Sequence, residues 1–227
     1  MTAYPTFRPV ADRAVLVEFG TEIAAEIHGQ VLRLDRLLTQ SPPLGMAEAV
    51  PAYANLLVTF DPLVTDHTTM IAALHDRLDG PDLPANPPRH HDLGVCYDPD
   101  LGSDLVTVAE QTGLSVDAVV NAHIAAEYSV YLYGFAPGYA YLAGTPPSLQ
   151  LPRKPAAIRD IPAGRVIIAG PQCIVTTLKM PTGWWILGAC PTRILRDDPA
   201  RPFLFDVGDT VRFHRISRAA YDADGAR

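Results

Sequence analysis

Cysteine is scarce in this chain: Cys96, Cys173 and Cys190 are far apart, odd in number and form no C-x-x-C pair. That spacing argues against a thiolate zinc site and against a disulfide framework, and no metal is expected. Basic residues are also in short supply. Against 25 Asp+Glu there are 18 Lys+Arg, a net charge of -7, which argues against a broad electrostatic grip on nucleic acid. No apolar run approaches the ~20 residues that span a bilayer. The opening MTAYPTFRPVADR has no basic stretch followed by an apolar core, so no signal peptide is expected. The default reading is a soluble, reduced, cytoplasmic protein. Four motifs are missing as well: G-x-x-x-x-G-K-[ST], G-x-G-x-x-G after a strand, G-x-S-x-G and H-E-x-x-H. A standard nucleotide fold or a serine or zinc hydrolase therefore has no signature here.

Proline is abundant, 22 in 227 residues. Proline breaks helix interiors, so an all-helical chain is not expected. With 48% hydrophobic and 19% charged residues, the composition is that of a globular protein.

Residues 14–19, AVLVEF, read as a strand. Thr21 to Leu38 reads as a helix, since Ile23, Ile27, Val31, Leu34 and Leu38 recur on one face, with Thr21 as a cap. Residues 46–50 and 55–60 read as strands and 66–78 as a second helix. One more strand would complete a β-α-β-β-α-β pattern. Leu93 to Tyr97 either supplies it or begins the next domain. Four prolines and a glycine in Gly80 to Arg89 mark a linker. The expected division is a small α/β domain at 1–85 and a second domain at 86–227. In the second, 104–111 and 115–126 read as short helices, with Ser115 as a cap. From Tyr128 onward, short apolar runs separated by Gly and Pro give the texture of an antiparallel barrel or sandwich. The fold class is α+β.

The most distinctive segment is Gly134-Phe135-Ala136-Pro137-Gly138-Tyr139-Ala140-Tyr141-Leu142. Glycines and a proline inside an aromatic run suit a sharp bend under bulky rings. The bend is either a barrel corner or a rim whose N–H groups and Tyr141 face a cleft. Arg153 and Lys154 lie between two prolines, where a rigid Arg153 either is solvated or holds a carboxylate. Gln172 follows Gly-Pro and has an amide to present. His123, near the end of the second helix of this domain, is either a surface or capping residue or a group that titrates near neutrality. His90 and His91 read as solvated loop residues, and His214 as a solvent-facing strand residue.

These segments resemble one family: the Kip-type kinase inhibitor, the B-type 5-oxoprolinase subunit and allophanate hydrolase subunit 1, carboxyltransferase subdomains C and D. The resemblance is carried by GFAPGYAYL at 134–142, PRK at 152–154, IPAGRVIIAG at 161–170, Gln172, PTGWWILG at 181–188 and DVGDTVRF at 206–213. DRAVLVEFG at 12–20 and VPAYANLLVTFDP at 50–62 extend it into the first half, and His123 falls where the family usually carries a histidine. Where relatives read Gln-Thr-Gly-Ile-Tyr-Pro and Ser-Pro-Gly-Gly-Trp, this chain has Gln172 to Thr177 and Met180 to Trp184, with length kept and residues changed. The resemblance implies a ferredoxin-like N-terminal domain followed by a cyclophilin-like β-barrel. It also implies a subunit of an ATP-dependent amidohydrolase complex of the 5-oxoprolinase type, inactive alone. A larger barrel-containing subunit, and in some assemblies a third, would be its partners. ATP is expected to bind mainly elsewhere in the complex. A non-catalytic inhibitor of a sensor histidine kinase, or an allophanate hydrolase or urea carboxylase-type subunit, is the alternative. For a small carboxylate-bearing amide, the residues expected to converge are Arg153 as clamp, Gln172 as donor, Tyr141 as wall and His123 as the titrating group.

Overall fold

The computed structural model describes residues 3–81 and 87–225. Linker residues 82–86, with the expected boundary at 85/86, lie outside the described residues. The chain forms two compact units, Met1–Pro87 and Pro88–Arg227.

In the first unit the elements are β1 (Thr6–Val10), β2 (Ala14–Glu18), α1 (Ala25–Gln40), β3 (Met46–Pro51), β4 (Asn55–Phe60) and α2 (His67–Asp79). The sheet runs β1-β2-β4-β3 and every pairing is antiparallel. Alternation along β2 and β4 sends Val15, Val17, Leu56, Val58 and Phe60 into one core with Val31, Leu34 and Leu38 of α1 and Met70 and Leu74 of α2. Two expectations need correction. The helix starts at Ala25 with Ala24 at the N-cap and no side-chain cap bond, so Thr21 does not cap it. The strand at 90–95 does not complete the first sheet, because it pairs in the second unit. The outermost strand beside β2 is instead β1, which the sequence pattern hides because Pro9 interrupts it. Proline is tolerated there because an edge strand need not donate on its outer side.

The second unit contains β5 (His90–Val95), α3 (Leu105–Thr112), α4 (Val116–Ala125), β6 (Glu127–Tyr133), β7 (Ala140–Ala143), β8 (Ile158–Ile161), β9 (Arg165–Ala169), β10 (Gln172–Val175), β11 (Met180–Thr182), β12 (Trp185–Ala189), β13 (Thr210–Arg215) and α5 (Arg218–Gly225). Among the described residues, seven strands form one sheet in the order β12-β9-β10-β7-β6-β13-β5. Its edges meet where the Cys96 and Ala189 backbones exchange N–H···O bonds of 2.8 and 2.9 Å, so the sheet curls into a nearly closed barrel. β8 and β11 form a separate two-stranded pair.

Side chains alternate across the barrel wall. All seven strands feed one inner core, including Leu93, Val130, Leu142, Val166, Ile168, Cys173, Val175, Leu187 and Phe213, joined by Val108 of α3 and Val119 of α4. Their neighbours Tyr141, Ile167, Ala169, Ile174 and Ile186 point outward and form a second cluster with Tyr139, Trp184, and Ile161 and Met180 of the β8–β11 pair. Closure is tight at Gly102, where a Cβ would collide with the Leu187 carbonyl oxygen. His90 is exposed, as expected, but the reading of His90 and His91 as loop residues, and of His91 as solvated, is corrected. Both lie in β5, and His91 is half-buried with Nε2 2.8 Å from the carboxylate of buried Asp209. Asp209 also accepts from the backbone N–H groups of Arg89 and Asp206, which ties the start of β5 to the start of β13.

Candidate functional site

The outer face of the barrel carries a row of aromatic rings. Phe135 and Tyr139 have centroids 5.4 Å apart, Tyr139 and Tyr141 5.7 Å, and Tyr141 and Trp184 6.0 Å. The Arg153 guanidinium lies 5.6 Å above the Trp184 ring, in range for a cation–π contact. Burial pushes the Tyr141 hydroxyl above its usual range, with the Arg153 charge opposing, and Tyr139 behaves the same way. Both phenols therefore stay protonated at neutral pH and remain hydrogen-bond donors. Gln172 opens β10 directly opposite Ala143 of β7. Opposed residues share a face and so do residues two apart, so half-buried Gln172 lies on the same outer side as Tyr141.

What fixes Arg153 is the loop around it. The Trp185 indole N–H donates to the Pro152 carbonyl at 2.7 Å, and the Lys154 N–H donates to the Gly183 carbonyl at 2.7 Å. The Lys154 ammonium lies 5.4 Å from the Trp185 centroid and pairs with Asp104. Oδ2 of Asp104 also accepts from the Ile186 N–H at 2.7 Å. Asp104 is a site residue that sequence reasoning misses. An Asp ahead of an apolar run reads as a helix start, and its partner is fifty residues away.

His123 is elsewhere. It projects from α4 into the inner core, fully buried, its ring stacked on Phe213 at 4.7 Å. The Tyr97 hydroxyl lies 2.7 Å from Nδ1 and the Cys173 sulfur 3.7 Å from Nε2. A neutral imidazole offers one donor and one acceptor, so it can satisfy both neighbours without a charge. Burial lowers its pKa to about 3. The expectation that His123 titrates near neutrality beside Arg153 is therefore corrected. His123 faces Cys173, and Gln172 points to the opposite side of the same strand, so the barrel wall separates them. Burial also pushes the Cys173 thiol well up, which leaves it a packing group rather than a nucleophile.

Phe135 is a non-glycine residue in the left-handed region. Its φ is +68°, and the Ala136 N–H donates to the Gly134 carbonyl at 2.8 Å. That is a γ-turn of positive φ, a rare and strained form. The ring is nonetheless 74% exposed. The turn is pinned by the Thr177 hydroxyl, which donates to the Pro137 carbonyl at 2.8 Å. Among the described residues no group of three or more His, Cys, Asp or Glu side chains is placed to hold a metal.

Comparison with known proteins bears on what this face belongs to. The chain is 32% identical over 235 residues to the B-type 5-oxoprolinase subunit of Bacillus subtilis (strain 168), covering 98% of each. It is similar to the crystal structure of TTHA0988, with TM-score 0.78 and 36% identity, over 91% of this chain and 40% of that one. This chain thus spans well under half the length of that solved relative. The Kluyveromyces lactis urea carboxylase structure matches with TM-score 0.76 at 18% identity, over 96% of this chain and 22% of that one, a likeness of fold alone. The family profile described as carboxyltransferase domain, subdomain C and D matches residues 5–205. With that match over most of its length, and with a full-length relative at this identity, the chain belongs to the carboxyltransferase subdomain C and D family.

Proposed function

We propose that this chain is the B-type subunit of an ATP-dependent 5-oxoprolinase complex, working with a larger partner subunit on a small cyclic amide that carries a carboxylate. The observation that carries the reading is the end-to-end match to a B-type 5-oxoprolinase subunit, covering 98% of both chains. We read the first unit as a ferredoxin-like layer with β1 as its added edge, and the second as a cyclophilin-like barrel, with domains near 1–85 and 86–227. We assign the complex to the cytoplasm. Among the described residues no helix is long and apolar enough to cross a membrane.

The chemistry of the outer face fits the substrate half of this reading. Arg153 would take the carboxylate, since a guanidinium matches its two oxygens. The aromatic floor of Tyr141 and Trp184 would pack against the flat ring. The Tyr141 hydroxyl and the Gln172 amide would donate to the amide oxygen and set its direction. His123 enters as an interior support of the wall rather than as the proton-transfer group, which the partner would supply. ATP provides the driving force of the coupled reaction. One guanidinium over an aromatic floor suits a monocarboxylate better than a triphosphate, so the nucleotide is assigned to the rest of the complex.

The test is ATP-dependent hydrolysis of 5-oxoproline by the purified chain alone and after co-expression with the larger partner subunit. No turnover alone and turnover in a stable complex is the expected result. Full activity of the single chain, or an assembled complex with none, sinks the proposal. Arg153→Ala and Gln172→Ala in that complex should each lower turnover at unchanged melting temperature and assembly. Destabilisation that accounts for the loss would return both residues to a structural role.

A further inference from the structure

We infer that the Asp104–Lys154 ion pair is the device that sets Arg153 over Trp184, making Asp104 and Lys154 positioning residues of the outer face. The inference rests on the proposed role of Arg153 as the carboxylate clamp.

Three observations carry it. First, Asp104 occupies the N-cap position of α3, where an Asp ordinarily accepts from the first-turn N–H groups. Here it makes no side-chain cap bond. Its Oδ2 goes instead to the Lys154 ammonium and the Ile186 N–H. The local use of the carboxylate has been given up for a distant one. Second, Arg153 and Lys154 straddle the start of β12. Trp184 belongs to the outer cluster and Trp185 to the inner core. Arg153 rests on the first ring and Lys154 on the second. Holding Lys154 on Asp104 and over the inner Trp185 therefore fixes the loop at the residue next to Arg153, whose guanidinium lies over the outer Trp184. Third, the pair is nearly dry, with side chains 13% and 8% exposed for Asp104 and Lys154. A buried ion pair adds little stability over apolar groups of the same size, because both charges must be stripped of water. What it supplies and an apolar pair does not is direction. One carboxylate oxygen holds the ammonium of the 152–154 loop and the backbone of β12 at the same point, so the clamp and the floor move together.

The experiment uses the assembled complex with 5-oxoproline as substrate, and reads melting temperature, kcat and KM for Lys154→Met, Lys154→Arg, the double variant Asp104→Asn/Lys154→Met, and Arg153→Ala. Lys154→Met is expected to melt several degrees lower, because it leaves the Asp104 charge buried alone. The double variant removes both charges and is expected to recover most of that melting temperature. Its KM should nonetheless stay raised about tenfold, with kcat changed less. Lys154→Arg keeps the charge and is expected to restore KM to within about threefold of wild type. A double variant that regains melting temperature and KM together would show that the pair only packs, and overturns the inference. Should the double variant fail to assemble, Lys154→Met assayed below its melting temperature decides: a wild-type KM overturns the inference and a raised one supports it. Arg153→Ala separates the two levels. If it leaves KM unchanged, the clamp reading itself fails. If it raises KM while the Lys154 variants do not, only the positioning role fails.

Discussion

Gln172 and Cys173 are consecutive on β10 yet belong to different chemical surroundings. Cys173 and its partner His123 sit in the inner core, where burial keeps the imidazole neutral and the thiol protonated. Gln172 lies on the outer side with Tyr141, whose ring meets Trp184, and Trp184 in turn carries the Arg153 charge. The titratable groups on the inner side are tuned away from proton transfer. The groups on the outer side are kept as donors and a cation. One strand's alternation thus separates support from recognition, and residues of similar chemical promise are sorted by the face they occupy.

The comparison can be broken most directly at His123. His123→Ala removes a fully buried ring and strands the Tyr97 hydroxyl. It is expected to cost about 3 kcal/mol or more in urea unfolding. Arg153 is exposed, and Arg153→Ala should stay within about 0.5 kcal/mol. Equal costs would erase the distinction between the faces.

The pH dependence sharpens it further. His123 titrates near 6.5 when unfolded and about 3 when folded. Between those values the unfolded chain holds the extra proton, so stability falls as pH drops through that window and is unaffected above it. The slope is about 1.4 kcal/mol per pH unit. From pH 6.5 to 5, wild type should therefore lose about 1.5 kcal/mol more than His123→Gln. Parallel stability curves for the two proteins would contradict a buried neutral imidazole.

Tyr97→Phe leaves Nδ1 of His123 without its 2.7 Å partner and should cost about 1–2 kcal/mol, read by chemical denaturation. One small effect is of opposite sign. Phe135→Gly relieves a positive φ and deletes a ring that is mostly in water. A gain of about 0.5–1 kcal/mol is expected, seen as a small rise in melting temperature. A fall would mean that the exposed ring stabilises the fold.

Much of the architecture is readable from local pattern. The period of Ile27, Val31, Leu34 and Leu38 gives α1, the alternation in NLLVTF gives β4, and Gly and Pro between short apolar runs give the barrel texture. The same local rules miss β1, whose proline is tolerated only because the strand lies at an edge. The candidate site is legible in part. Arg153 stands out because it lies in a Pro-bounded loop, and Tyr141 and Gln172 because they follow Gly- and Pro-containing turns near the starts of β7 and β10.

The sequence by itself determined the division into a helix-bearing first half and a barrel-forming second half, the family, and the residue types available for recognising an anion. It did so because propensity, periodicity and turn chemistry act between near neighbours. Tertiary structure alone decided that His123 faces inward. A histidine near the end of a helix reads the same at the surface and in a core, and the groups that settle it, Tyr97 and Cys173, are 26 and 50 residues away. It also decided that Asp104 abandons its helix to hold Lys154. Both outcomes come from closure of the barrel, which removes water from one side of the wall, and burial and charge pairing depend on what the whole chain brings together.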